Sequence, residues 1–327
     1  MISTIAMFIK QAIIQGIPLL YGSTGEIVTE KSGNLNLGIP GIMYIGGISG
    51  IIGAFFYERY AVSPCAALYI LIPLLSSLIG SLILSLIYCF LTITLRANQN
   101  VTGLALTTFG IGMGNFFGGS LSTLFGEGGS ISLITTGSYF KKSLPFASKL
   151  GIFGDTFLSF GFLAYLSLII ALVTSFVINR TRVGLNLRAV GENPATADAA
   201  GVNVTLYKYV ATCYGGMVAG LGGLYFVMDY IGGAWTNGGF GDRGWLAIAL
   251  VIFALWRPNL GILGSILFGG LYIVYLYISG LGRSSQEIFK MLPYVVTILV
   301  LVIVSMRKRR ENQPPAHLGL SYFREER

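Results

Sequence analysis

Asn34 and Asn36 stand where an apolar stretch turns polar and then apolar again: Gly25-Glu-Ile-Val-Thr-Glu-Lys-Ser-Gly-Asn-Leu-Asn-Leu-Gly38, continuing through Gly41-Ile-Met43 to Gly47. Backbone that leaves the helix inside a bilayer must be buried in protein or line a water-filled path. This glycine-rich break therefore reads as a cavity or hinge element on a solute path, or else as an ordinary turn between two spans. Gly238-Gly-Phe-Gly-Asp-Arg-Gly-Trp-Leu-Ala-Ile-Ala249, followed by Trp256-Arg-Pro258, is a second interruption. It reads as a partner of the first or as tight packing by small residues. Val101-Thr-Gly-Leu-Ala-Leu-Thr-Thr108 sets hydroxyls at helical spacing. Thr107, Asn115 and Phe116 are candidates to face the path, although threonine hydroxyls more often bond back to their own helix. Phe109, Phe117, Tyr225 and Trp235 offer rings for stacking, or simply for core packing.

The stretch Arg188-Ala-Val-Gly-Glu-Asn-Pro-Ala-Thr-Ala-Asp-Ala-Ala-Gly201-Val-Asn203 carries no catalytic pattern but has strong helix grammar. Asn193 suits the N-cap, Pro194 the first helical position, Ala195 to Ala200 the body, and Gly201 the left-handed residue that ends it. One short, capped helix of small side chains follows, suited to insertion in a partner's groove. A solvated connection between spans is the plainer alternative.

Reaction chemistry is otherwise missing. There is no Gly-x-x-x-x-Gly-Lys-Ser/Thr loop to cradle ATP phosphates, no metal-ligand cluster and no nucleophile elbow. Cys65, Cys89 and Cys213 have no metal spacing and read as small hydrophobes. His317 is the only histidine and lies in the tail, so a histidine relay within the membrane is excluded. Glu26 at the break and Asp229 at a span end are the few carboxylates near spans, fewer than an ion-coupled transporter would need.

The elements that must position these residues are membrane helices. Of 327 residues 54% are hydrophobic and only 10% charged, against about 25% charged in soluble domains, and the mean hydropathy is +0.75. Apolar segments fall at 11–23 (interrupted by Pro18 and Gly22), 39–57, 73–95 (with Pro73 as its start), 101–120, 157–179, 207–228, 244–256, 260–282 and 290–306, after an apolar 1–9 with no cleavable leader pattern. The fold class is an all-α polytopic transmembrane bundle of about eight to ten segments. With one glycine-interrupted stretch in each half, it reads as repeated halves with the path between them. Residues 1–306 form the membrane domain and 307–327 a short polar tail. Alternating back from Arg307-Lys308-Arg309-Arg310 puts thirteen Lys and Arg inside and eight outside. That bias makes the C-terminus and the 180–206 loop cytoplasmic and the 121–156 loop extracytoplasmic.

These motifs together resemble the permeases of ATP-binding-cassette importers in the ribose, branched-chain amino acid and nucleoside branch, from about Gly25 to the C-terminus. Glu192, Asn193, Pro194, Ala197 and Gly201 match the family's coupling-helix loop. The resemblance implies that this loop, with Arg188 and Gly191, docks on an ATPase and transmits its closure to the spans. The 25–47 stretch matches except at Pro40, where the family often has Glu; Thr107 stands where it often has Asn. Pro314-Pro-Ala-His-Leu-Gly-Leu-Ser-Tyr-Phe-Arg-Glu-Glu-Arg327 resembles the ending of permeases from nucleoside importers fed by basic-membrane-protein-type lipoproteins. The implied protein is a bacterial inner-membrane permease moving nucleosides by alternating access, with sugars or branched-chain amino acids as the alternative cargo. It would itself bind no cofactor. ATP would sit on a partner ATPase subunit. A second, paralogous permease and an extracytoplasmic binding lipoprotein would complete the assembly, and Asn34, Asn36, Thr107, Asn115, Phe116 and Trp235 would line the path.

Overall fold

The computed structural model describes residues 2–124, 131–143, 145, 149, 151–278, 280, 282–307 and 313–323. The chain is an all-α bundle: α1 (Ile2–Lys31), α2 (Ile39–Tyr60), α3 (Ala66–Cys89), α4 (Gln99–Leu124), α5 (Ile134–Phe140), α6 (Gly151–Phe157), α7 (Phe162–Arg180), α8 (Arg182–Glu192), α9 (Pro194–Ala199), α10 (Val204–Tyr225), α11 (Arg243–Phe253), α12 (Pro258–Ile273), α13 (Arg283–Lys290) and α14 (Leu292–Arg307). Among the described residues the one β feature is an isolated bridge between Ser132 and Ala234.

Among the described residues, seven helical stretches are long and apolar enough to cross a membrane: Thr4–Lys31, Ile39–Tyr60, Ala66–Thr94, Phe162–Arg180, Val204–Tyr230, Pro258–Tyr277 and Ser284–Ile303. Helix α4, at 26 residues, has the length but is diluted by Gly, Thr and Asn. Helix α11 has 11 residues, about 16 Å at 1.5 Å per residue, which is half of a hydrocarbon core. The segment 244–256 is thus a half-span helix.

Several boundaries differ from the sequence expectation. Pro18 and Gly22 do not interrupt a short segment at 11–23. Helix α1 runs through them and absorbs residues 2–9 and Lys10. Pro73 does not start a span either; it lies inside α3, which begins at Ala66 and continues through a π-turn, Phe90–Thr94. In both helices the lost N–H bond is tolerated because neighbouring helices cover the site. The 180–206 connection holds two helices rather than one, because Arg182–Glu192 is helical. Arg188, Gly191 and Glu192 therefore sit on a helix ahead of the capped one.

Close backbone approach explains much of the glycine content. Helices α1 and α10 run antiparallel and touch at Gly25 and Gly215, while α2 crosses α10 at Gly46 and Gly220. A methyl group added at Gly25 would land on the Gly215 carbonyl, and one at Gly46 on the backbone of Gly220. Small residues at such crossings replace hydrophobic driving force with van der Waals contact, which is what lipid leaves available. Tyr21, Met43, Leu224 and Tyr225 fill the core between these helices.

One end of the bundle gathers the C-terminal ends of α1, α3, α7 and α11, the N-terminal ends of α2, α4, α10 and α12, and the helices α8 and α9. The two interruptions stand at opposite ends. Residues 32–38 lie at the α8–α9 end. Residues 226–242, which begin with a π-turn at Phe226–Tyr230, pack at the far end against α4 and α5, where Gly232 meets Gly137 and Trp235 meets Gly118.

Candidate functional site

Between Lys31 and Ile39 the chain leaves the helix while still buried: Ser32, Gly33, Asn34, Asn36 and Gly38 are all shielded from solvent. Its backbone groups must find partners inside the protein, and side chains from several helices supply them. The Asn36 N–H donates to Glu26 Oε1 at 2.9 Å and the Leu35 N–H to Gln99 Oε1 at 2.7 Å. Tyr88 donates its hydroxyl to the Leu35 carbonyl at 2.6 Å, and Thr107 donates to the Leu37 carbonyl at 2.7 Å. Asn36 Oδ1 accepts from the Gly38 N–H at 2.9 Å, forming the turn that admits Pro40 to the first turn of α2. Asn34 donates through Nδ2 to Thr212 at 3.0 Å. Helices α1, α3, α4 and α10 thus hold one irregular segment at five points.

Beneath this clasp Glu26 and Glu30 lie one turn apart on α1, at 0% and 3% exposure. The sequence reading leaves Glu26 at the break and Glu30 without a role. Extension of α1 to Lys31 brings both inside the bundle. Glu30 accepts from the indole N–H of Trp256. Leu255 and Trp256 reach that position with φ of +53° and +55°, the left-handed region in which large side chains are strained. The end of the half-helix α11 is thereby bent so that Trp256 can cap the carboxyl.

Helices α8 and α9 rest on the same place. Asn193 caps α9 by accepting from the Thr196 N–H at 3.0 Å, Pro194 fills the first turn, and Gly201 has φ +84°, all as the sequence grammar requires. Ala197 is buried against Val190 and Val204. Gly191 touches the backbone of Lys31 and Gly33 with no room for a methyl group. Arg188, Glu192, Lys31 and Arg257 share a polar cavity of about 660 Å³ with Trp256.

The tail is part of this assembly. The His317 N–H donates to the Gly191 carbonyl at 3.0 Å, and the Gly319 N–H to the Gly33 carbonyl at 3.1 Å. Gln99 Nε2 donates to the Leu320 carbonyl at 3.4 Å, and the Tyr322 hydroxyl to Asp198 Oδ2 at 3.0 Å. The Arg96 guanidinium lies over the Phe323 ring, 4.6 Å from its centroid. Leu318 packs with Ile27, Val28 and Trp256. Residues 315–323 form a strap across the break, α4, α8 and α9, a role that their polar composition does not announce.

Burial pushes the His317 imidazole below its ordinary value, and the neighbouring Lys208 adds to the effect. Its Nδ1 is buried without a hydrogen-bond partner among the described residues. The folded state thus binds a proton less readily than the unfolded chain. The strap keeps its full stability above about pH 6.5 and loses it as the pH falls below that value. Melting temperatures recorded from pH 8 to pH 5 are expected to fall more for the wild type than for His317→Gln.

At the far end the aromatic side chains converge. Tyr44 meets Trp235 at 6.1 Å and Phe240 at 5.4 Å between centroids, and Phe240 meets Phe226 at 5.0 Å, each edge to face. They enclose a small void with Met43 and Thr236. Behind them Arg243, 7% exposed, donates to Gln15 Oε1 and to the carbonyls of Gly239 and Phe240, and lies against Phe226, Tyr230 and Tyr272. Asn115 Oδ1 accepts from the Gly238 N–H at 3.4 Å, and Phe116 is 57% exposed. Trp235 lies over Gly114 and Gly118 of α4.

The six residues expected on a path therefore divide. Asn34, Asn36 and Thr107 gather at the 32–38 clasp with their bonds directed to protein; Asn115, Phe116 and Trp235 gather on α4 and the 226–242 interruption. The sequence reading misses Tyr88, Gln99 and Thr212, and it groups Trp256 with the second interruption, whereas the indole binds Glu30 beneath the first. The i, i+4 pair Glu26 and Glu30 at the end of an apolar helix is a usable signal for the site. Tyr88 and Gln99 carry none, because their partners are backbone groups far away in sequence.

A family model described as the permease component of branched-chain amino acid transport systems matches residues 8–301. A nucleoside ABC transporter permease protein, NupC, of Lactococcus lactis is 30% identical over 92% of this chain and 93% of its own length. A putative glucose ABC transporter permease protein, TsgC13, of Haloferax volcanii is 30% identical over 94% of each chain. A guanosine ABC transporter permease protein, NupQ, of Bacillus subtilis is 27% identical over 92% of each.

Proposed function

We propose, from the premise that this chain belongs to the family of branched-chain amino acid transport system permease components, that it carries nucleosides across the bacterial inner membrane as the membrane-spanning subunit of an ATP-binding-cassette importer. The observation that carries the choice of cargo is that two relatives aligned over more than nine-tenths of this chain are permeases for nucleoside and for guanosine. The similar putative glucose permease favours a sugar as the second reading.

In this mechanism the end carrying α8, α9 and the tail faces the cytoplasm. Arg188, Gly191, Glu192, Asn193, Pro194, Ala197 and Gly201 present the pair α8–α9 to a partner ATPase, which binds and hydrolyses ATP. Closure of the ATPases pushes on α8, which rests on the 32–38 break, so the push reaches α1, α2, α4 and α10 together. A binding lipoprotein delivers the nucleoside at the far end, and a second, paralogous permease supplies the other wall of the path beside Asn115, Phe116 and Trp235. Asn34, Asn36 and Thr107 act at the inner end as the hinge. Buried carboxyls are present in α1, so their scarcity no longer counts against ion coupling; family membership decides for ATP.

Uptake of labelled nucleosides, ribose, glucose and leucine by cells with and without the gene tests the cargo. Loss of nucleoside uptake alone is expected. Loss of glucose or ribose uptake with nucleosides unaffected overturns the nucleoside reading and leaves the permease. For the docking role, Gly201→Val is the sharper probe. A methyl at Gly201 meets open space, so the cost is confined to a left-handed β-branched residue, about 1–2 kcal/mol. Normal membrane levels with strongly reduced uptake are expected; normal uptake at normal levels removes α9 from the coupling path.

A further inference from the structure

From a cavity at the α8–α9 end we infer that the protein binds a small phosphate-bearing anion between the strap, the end of α9 and the start of α10. The cavity is about 450 Å³ and its wall includes Asn34, Arg96, Gln99, Asn203, Lys208 and Tyr322. That volume lies within the range of small-ligand sites. Lys208 is 3% exposed, and no hydrogen bond or ion pair joins its ammonium to another described residue. A largely buried lysine with no counter-ion carries a desolvation cost, and an anion in the cavity it lines would supply the missing charge. The wall also holds the first turn of α10, a helix of 22 residues whose N-cap Asn203 already accepts from the Leu206 N–H at 3.0 Å. Its remaining first-turn N–H groups and the positive end of its dipole favour an anion. Arg96 adds a second positive charge from the α3–α4 turn. The wall sets Lys208 and Arg96 against one acidic residue, Asp198, so positive charge is in excess by one.

Phosphate fits this arrangement better than a monovalent ion. A dianion with several acceptor oxygens can take a lysine, an arginine and backbone N–H groups at once, and the cavity has space for the ester group as well. Occupancy would tie α9, α10 and the strap into one unit. Those are the elements that must move against each other if α8–α9 transmits a push, so the anion would set how readily they do.

The test uses the purified full chain in detergent. Orthophosphate, a nucleoside monophosphate and short-chain phosphatidylglycerol are titrated at constant ionic strength against chloride, with melting temperature and equilibrium dialysis of labelled orthophosphate as readouts. Saturable binding and a raised melting temperature are expected for the wild type. Lys208→Arg should retain them and Lys208→Met should bind about tenfold more weakly or worse, as loss of one charge-assisted bond implies. A response to the soluble phosphates identifies a cytoplasmic solute as the source, and a response to the lipid alone identifies a headgroup. Absence of saturable binding to the wild type, or equal binding by Lys208→Met, overturns the inference. If Lys208→Met does not fold, Arg96→Gln gives the same comparison.

Discussion

Replacing Gly191 with valine is expected to abolish uptake while leaving the spans inserted. The Cβ alone would fall on the Lys31 carbonyl oxygen, and it would lie 3.0 Å from the Lys31 carbonyl carbon and 3.3 Å from the Gly33 nitrogen. These are backbone atoms in a segment held from several sides, so neither partner can yield cheaply. Overpacking of this kind costs about 1–3 kcal/mol, and the simplest relief is for α8 to lift away. That movement also breaks the bond from His317 to the Gly191 carbonyl and loosens the strap. The membrane core at Gly25–Gly215 and Gly46–Gly220 is untouched, so the protein should reach the membrane at normal levels. Radiolabelled uptake together with quantitative blotting of membranes decides the matter. Full uptake by a normally expressed Gly191→Val variant would show that the seat of α8 on the break does not carry the coupling.

The second large effect is expected at Glu26. Its Oε1 is the acceptor for the Asn36 N–H at 2.9 Å inside a fully buried segment. Glu26→Leu leaves that N–H without a partner, at a cost of about 1–3 kcal/mol, and the break loses one of its five holds. Thermal stability and uptake should both fall. Glu26→Gln keeps an acceptor oxygen in place and should restore both to near the wild-type level. A Gln variant that is stable yet inactive would instead mean that transport uses the carboxyl itself, and the hinge role proposed for the break would need a charge.

The two interruptions were legible in the sequence because glycine and asparagine stand out against an apolar background. The capped helix α9 was legible to the residue, since Asn193, Pro194 and Gly201 obey rules that act within one turn. The partners of the break were not. Tyr88, Gln99 and Thr107 meet it through backbone carbonyls and N–H groups that every residue possesses, so nothing in their types marks the pairing. The helix boundaries at Pro18 and Pro73 were misplaced for a related reason: proline breaks an isolated helix, but a helix covered by neighbours in a bundle can run through it. Thr107 shows the limit of base frequencies. Its hydroxyl reaches across to Leu37, whereas Thr108 next to it bonds back to Leu104.

The strap also bears on how the protein is made. Leu318 is synthesised some 290 residues after Ile27 and Val28, yet the three share one apolar cluster. At a synthesis rate of about 5–20 residues per second, α1 and the break wait tens of seconds for the segment that covers them. During that interval Gly33 and Gly191 lack the bonds that residues 317–319 supply. A ribosome that stops after α14 would release a chain whose spans can all insert but whose inner end is open. A bulky fusion placed within residues 315–323 is expected to leave that inner surface open in the same way.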